Sequence, residues 1–115
     1  MKVAVQGSKK FDDYKVFMRA MGVALSDLGP GDTVDFYSVG PHKVNNFLAG
    51  FVNLTEDSMK ARSMKIKYHK VSDKWLESQL HEIDYFIYLS KPKEYPSRLV
   101  NKADAKDVEC GIFRY

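Results

Sequence analysis

The chain has 115 residues, of which 44% are apolar and 13% aromatic, with a formal charge of +3. That is ample material for one packed domain over 1–115 and argues against wholesale disorder. No apolar run approaches the ~20 residues that cross a bilayer, the lone cysteine excludes an internal disulfide and argues against a thiolate metal cluster, and the apolar stretch before Gln6 is too short for a secretory signal; a cytoplasmic protein without cofactor is expected.

The elements alternate along the chain. Lys2 to Gln6 is an apolar strand, closed by a Gly7-Ser8 turn. A helix is expected from about Asp13 to Leu28, because Phe17, Met21, Leu25 and Leu28 fall on one helical face. Gly29-Pro30-Gly31-Asp32 stops it, and Thr33 to Val39, rich in β-branched and aromatic residues, is the second strand. Gly40-Pro41-His42 breaks that strand, and a second helix starts near Lys43 with Val44, Phe47, Leu48, Phe51 and Val52 inward. Thr55 is a candidate cap for a separate short turn running to Arg62.

Met64 to Lys70 alternates Met64, Ile66 and Tyr68 with Lys65, Lys67 and His69, the pattern of an edge strand with one wet face. Ser72 caps a third helix with Trp75, Leu76, Gln79, Leu80 and Ile83 at helical spacing. Tyr85 to Leu89 is nearly all apolar, as a central parallel strand should be. Lys91 to Pro96 reads as a loop. Ser97 caps a fourth helix to about Lys106, with Leu99, Val100 and Ala103 inward, and Glu109 to Tyr115 closes the chain as strand five.

Strands alternating with helices predict an α/β fold: a Rossmann-like open, mostly parallel five-stranded sheet with helices on both faces. Ligands of such sheets bind at the carboxyl ends of the strands, where the strand order switches. If strands one and two are neighbours, Gly7, Ser8 and Lys9 stand beside Gly40, Pro41 and His42. A strand, a Gly-Ser turn and a helix start also form the geometry of an anion site, with backbone N–H groups and the helix dipole facing the ligand.

The run Val3-Ala4-Val5-Gln6-Gly7-Ser8-Lys9-Lys10-Phe11-Asp12-Asp13-Tyr14 resembles the opening of the SLOG superfamily, in its small stand-alone, YspA-related branch: apolar strand, Gly-Ser, a basic residue, a spacer, Phe, one residue, Asp-Tyr. The resemblance implies a Rossmann-like domain that binds a nucleotide-type or other phosphate-bearing small molecule and often forms homo-oligomers. Gly7 would permit the tight turn, Ser8 would offer its hydroxyl and N–H, Lys9 its charge, and Phe11 would shield a base or staple the helix. The family's second motif, Gly-Gly then Gly-Ala-Asp, is replaced by Ser38-Val39-Gly40-Pro41-His42-Lys43-Val44-Asn45. Pro41 has no N–H to donate and the acidic residue is missing, so the expectation is a non-catalytic module with Gly7, Ser8, Lys9, Phe11, Gly40, His42 and Lys43 at its site. Size and lysine-rich character also resemble the small phage proteins that bind and redirect host enzymes, for example a modifier of host valyl-tRNA ligase. On that alternative the protein acts in the host cytoplasm and its loop is vestigial.

Other candidates carry less. Lys10 fits a solvated turn. His42 could serve as a general base, or be an ordinary loop histidine; hydrolysis through His42 or Asp13 lacks a visible orienting partner. Three scattered histidines do not make a metal site. Cys110 reads as a structural thiol. Lys60 to Lys70 holds five Lys/Arg and no acidic residue; a polyanion patch and a protected sheet edge both fit, and the edge is preferred. Nucleic acid is disfavoured because Tyr68, alternating with the lysines, should point inward. Tyr88 reads as core, with Tyr95 and Tyr115 as possible contact residues.

Overall fold

The computed structural model describes residues 1–39, 42–91 and 96–114, without the side chains of His42 and Arg114. Five strands form one parallel sheet in the order β3-β2-β1-β4-β5. They are β1 (Lys2–Gly7), β2 (Thr33–Val39), β3 (Lys65–Lys70), β4 (Tyr85–Ser90) and β5 (Glu109–Arg114). The helices are α1 (Tyr14–Leu25), α2 (His42–Ala61), α3 (Asp73–Ser78) and α4 (Arg98–Ala105), with a short 3-10 turn at Leu80–Glu82. The Rossmann-like expectation holds, and the sheet is wholly parallel.

Two apolar layers sandwich the sheet. Phe17 and Met21 of α1 and Val44, Leu48 and Phe51 of α2 pack on Val3, Val5, Phe36 and Ile87. Leu76, Leu80, Leu99 and Ala103 pack on Ala4, Phe86 and Tyr88 from the other side. Side chains of this size contribute roughly 1.5–3 kcal/mol each when fully buried. Adjacent strand residues separate into the two layers, as the pleat requires. The edge strand β3 is polar on one face: it exposes Lys65 and Lys67, while Ile66 is buried.

Four local departures from the sequence pattern have physical causes. First, α1 ends at Leu25 rather than Leu28, where Ser26 N–H donates to the Val23 carbonyl at 3.3 Å and Leu28 N–H to the Leu25 carbonyl at 3.2 Å, so that i→i−3 bonds replace the helical ladder; Leu28 still packs on the core from the following loop. Second, Thr55 caps nothing. It lies inside the continuous α2 and donates its hydroxyl to the Phe51 carbonyl at 2.7 Å. Third, the third helix is only six residues long before tightening into the 3-10 turn. Finally, Trp75 is 40% exposed although it shares helical spacing with Leu76 and Leu80. It stacks on Tyr37 of β2 instead of entering the core.

Ser72, Ser97 and Asp13 cap their helices, accepting from the N–H groups of Trp75, Val100 and Val16. No helix among the described residues is long and apolar enough to cross a membrane.

Candidate functional site

β1 and β2 are neighbours, as the loop pairing required. The strand order, however, reverses between β1 and β4, which pair from Val3↔Tyr85 to Gly7↔Leu89. The crevice expected in such a sheet therefore lies above β1 and β4. There the chain leaves β1 at Gly7 and β4 at Ser90.

The turn after β1 is closed by its own chain. Ser8 N–H donates to the Leu89 carbonyl at 2.8 Å and so lengthens the β1–β4 ladder by one rung. The Ser8 carbonyl accepts from Phe11 N–H at 3.2 Å. Ser8 is buried, and Phe11, 1% exposed, is a core residue packed with α1 and α2 rather than a shield for a base. Lys9 and Lys10 are exposed at the tip. The first turn of α1 already meets an anion: Asp13 Oδ1 accepts from Val16 N–H at 3.1 Å, which satisfies the cap and the helix dipole.

Gly7 is not left-handed; Gly31 is the described glycine with positive φ. What Gly7 supplies is space. A Cβ there would lie 2.1 Å from Val44 Cγ2, on the first turns of α2. The glycine thus serves the approach of helix to strand.

Around the crevice, Lys43 Nζ and Lys91 Nζ stand 3.9 and 3.8 Å from the two oxygens of Asp12. All three are substantially exposed, so the pairs are weak, roughly 0–1 kcal/mol each. Across from them Ser97 Oγ donates to Gln6 Oε1 at 2.5 Å. Beneath, Ser38 Oγ donates to Asn45 Oδ1, both residues being buried. No buried side-chain nitrogen or oxygen among the described residues lacks a hydrogen-bond partner. Gly40 and Pro41 lie outside the described residues, as do Tyr95 and Tyr115; His42 opens α2. Of the expected site residues, Gly7, Ser8 and Phe11 are built into the fold. Lys9 and Lys43 remain at the crevice rim.

Groups suited to covalent or acid–base chemistry are sparse. Burial, and then the nearby Asp104 charge, push the Cys110 thiol above its ordinary value, and Cys110 Sγ donates to the Val108 carbonyl at 3.3 Å. That is the opposite of an activated nucleophile. Among the described residues no three His, Cys, Asp or Glu side chains converge.

A second constellation escaped the sequence reading. On the sheet face opposite α1 and α2, Tyr37 stacks against both His69 (centroids 4.9 Å apart, 18°) and Trp75 (5.1 Å, 26°). His69 Nε2 lies 3.0 Å from Asp35 Oδ1, which fixes the ring. The usable signal was register: Tyr37 pairs with His69 and Asp35 with Lys67, so β2 and β3 place these residues in adjacent rows on one face. Tyr68 points the other way, toward the α1–α2 layer, as expected.

No protein-family model, no curated protein and no solved structure matches this chain.

Proposed function

We propose that the protein is a non-catalytic binding module whose partner is another protein, in the manner of the small phage effectors it resembles: a host enzyme such as valyl-tRNA ligase. The observation that carries this reading is the outer surface of the α1–α2 layer. There Tyr14 and Met18 of α1 are 44% and 39% exposed, and Leu54 of α2 is 77% exposed. Tyr14 and Met18 stand one helical turn apart, and Tyr14 meets the edge of Phe47 across the helix pair at 5.2 Å. Aromatic and methionine side chains are the types enriched at interface centres. The internally bonded β1 turn supports the same reading, because its Ser8 N–H and the first turn of α1 already have partners within the chain.

Titration calorimetry and gel filtration with bacterial valyl-tRNA ligase test the proposal. A stoichiometric complex is expected, weakened at least ~10-fold by combined Tyr14→Ser, Met18→Ser and Leu54→Ser, and indifferent to Ser8→Ala with Lys9→Ala. Absence of a complex with this ligase and with a panel of other ligases defeats it.

The second reading is a phosphate-bearing small molecule, such as a nucleotide, at the crevice. Lys9, Lys43 and Lys91 around the β1–β4 switch point favour it. Heat on titration with a nucleotide panel, abolished by Lys9→Ala with Lys43→Ala, would select it over the first.

A further inference from the structure

We infer that the β2–β3 face binds single-stranded nucleic acid, with the Trp75–Tyr37–His69 stack as a platform for bases and Lys65 and Lys67 as phosphate contacts. This face lies on the other side of the sheet from the α1–α2 surface, so the inference does not rest on the function proposed above.

Trp75 is 40% exposed and the His69 side chain 41%, so the stack is open to solvent. Tyr37 is covered by its two neighbours, so the exposed parts of Trp75 and His69 are what an unstacked base would meet, and such stacking tolerates any sequence. The rings are fixed in advance. Asp35 anchors His69, Tyr37 lies against both partners, and the Ser72 cap sets the start of the helix that carries Trp75. Less order is therefore lost on binding.

Charge selects the occupant. Lys65, Lys67 and His69 alternate along β3 and project from one face, about 6.6 Å apart at two residues per repeat. Neither Lys65 nor Lys67 is ion-paired among the described residues. Asp35 is bound to His69, Glu82 to Lys2 at 2.8 Å, and Glu77 of α3 to Arg98 and Lys102, while Asp73 in the first turn of α3 makes none of these ion pairs. The two unpaired lysines beside an aromatic platform complement a chain of phosphates carrying splayed bases. A duplex keeps its bases stacked inside and cannot use the rings. On β3 itself Tyr68 faces inward, and the aromatic rings come instead from β2 and α3.

Trp75 is the only tryptophan, so its fluorescence reports on the platform directly. Titration with oligouridylate and oligothymidylate at low salt should quench it, with matching anisotropy changes from the labelled oligonucleotide. Trp75→Leu should weaken binding roughly 5- to 150-fold by anisotropy, the range for loss of one stacked base. Trp75→Phe keeps an aromatic face and should bind within a few-fold of the parent, which separates loss of stacking from loss of fold. Lys65→Gln with Lys67→Gln should lower the slope of log affinity against log salt by about 1.4. Lys9→Gln with Lys10→Gln should change nothing. No quenching by either oligonucleotide overturns the inference. So does unchanged affinity in the Trp75→Leu and lysine variants, or equal affinity for a duplex.

Discussion

Replacing Gly7 by alanine separates a structural glycine from a ligand-binding one. The added Cβ would stand 2.1 Å from Val44 Cγ2 and 3.1 Å from Val44 Cβ. Carbon atoms pack best at about 3.5–4.0 Å, so α2 must retreat from β1 by more than an ångström, or Val44 must leave its place. Val44 is fully buried and shares its layer with Leu48, Phe17 and Val5, so neither movement is free. Overpacking of this kind costs roughly 1–3 kcal/mol, which at about 4–8 °C per kcal/mol for a domain near this size lowers Tm by about 5–20 °C. Val44→Ala alone removes two methyl groups, worth about 0.8 kcal/mol each before any cavity term. The double variant should lose much less than the sum, with a coupling of roughly 0.5–3 kcal/mol, because the clashing atoms are gone. Urea and thermal unfolding followed by circular dichroism give all four corners of the cycle. Gly7→Ala as stable as the parent, or two costs that simply add, would mean that Val44 does not require a glycine at this position.

Three further outcomes follow from the geometry. Ser97→Ala removes the cap of α4 and the hydroxyl bonded to Gln6, and should cost about 0.5–2 kcal/mol in urea unfolding; a neutral change would mean the cap is replaced by water. Glu82 is held below the ordinary carboxylate value chiefly by its hydrogen bond from Lys2. Its contribution is therefore present above the unfolded carboxyl pKa and lost as pH falls through the lower folded value, so Glu82→Gln should flatten the fall in urea midpoint from about pH 5 downward. A steeper fall in the variant would reverse that sign. Cys110, with its thiol pushed up by burial, should react with iodoacetamide near pH 8 more slowly than free cysteine, since the thiolate is the attacking species; reaction as fast as free cysteine would contradict its placement.

The fold was legible because each element declares itself locally. The β-branched run Thr33–Val39 is a strand over its whole predicted length, and the alternation in Lys65–Lys70 marks the edge strand it forms. Serines before helical patterns cap α3 and α4 as read. The site was less legible, because its chemistry depends on partners distant in sequence. Nothing near Ser8 announces that Leu89 will take its N–H. Gly7 carries the family-like turn signal, yet the atom that requires it belongs to Val44. Nothing beside His69 in sequence announces Asp35, its partner across the ladder.

The open aromatic platform also has a cause in chain length. β3 is one edge of the sheet, while β4 lies beyond β2 and β1. The segment from Val71 to Asp84 must therefore travel three strand spacings, about 14 Å at 4.8 Å each, and also return along the strands to their starting end. So short a connection affords six residues of α-helix and one 3-10 turn. Leu76, Leu80 and Ile83 cover the middle of the sheet, and no length remains to cover β3. Trp75, at the near end of that crossing, reaches only as far as Tyr37. A longer α3 would have buried Lys65, Lys67 and His69 beneath a helix and required apolar residues there. The lysines on β3 and the short crossover are thus consistent with each other, and both leave the same half of the sheet available to a partner.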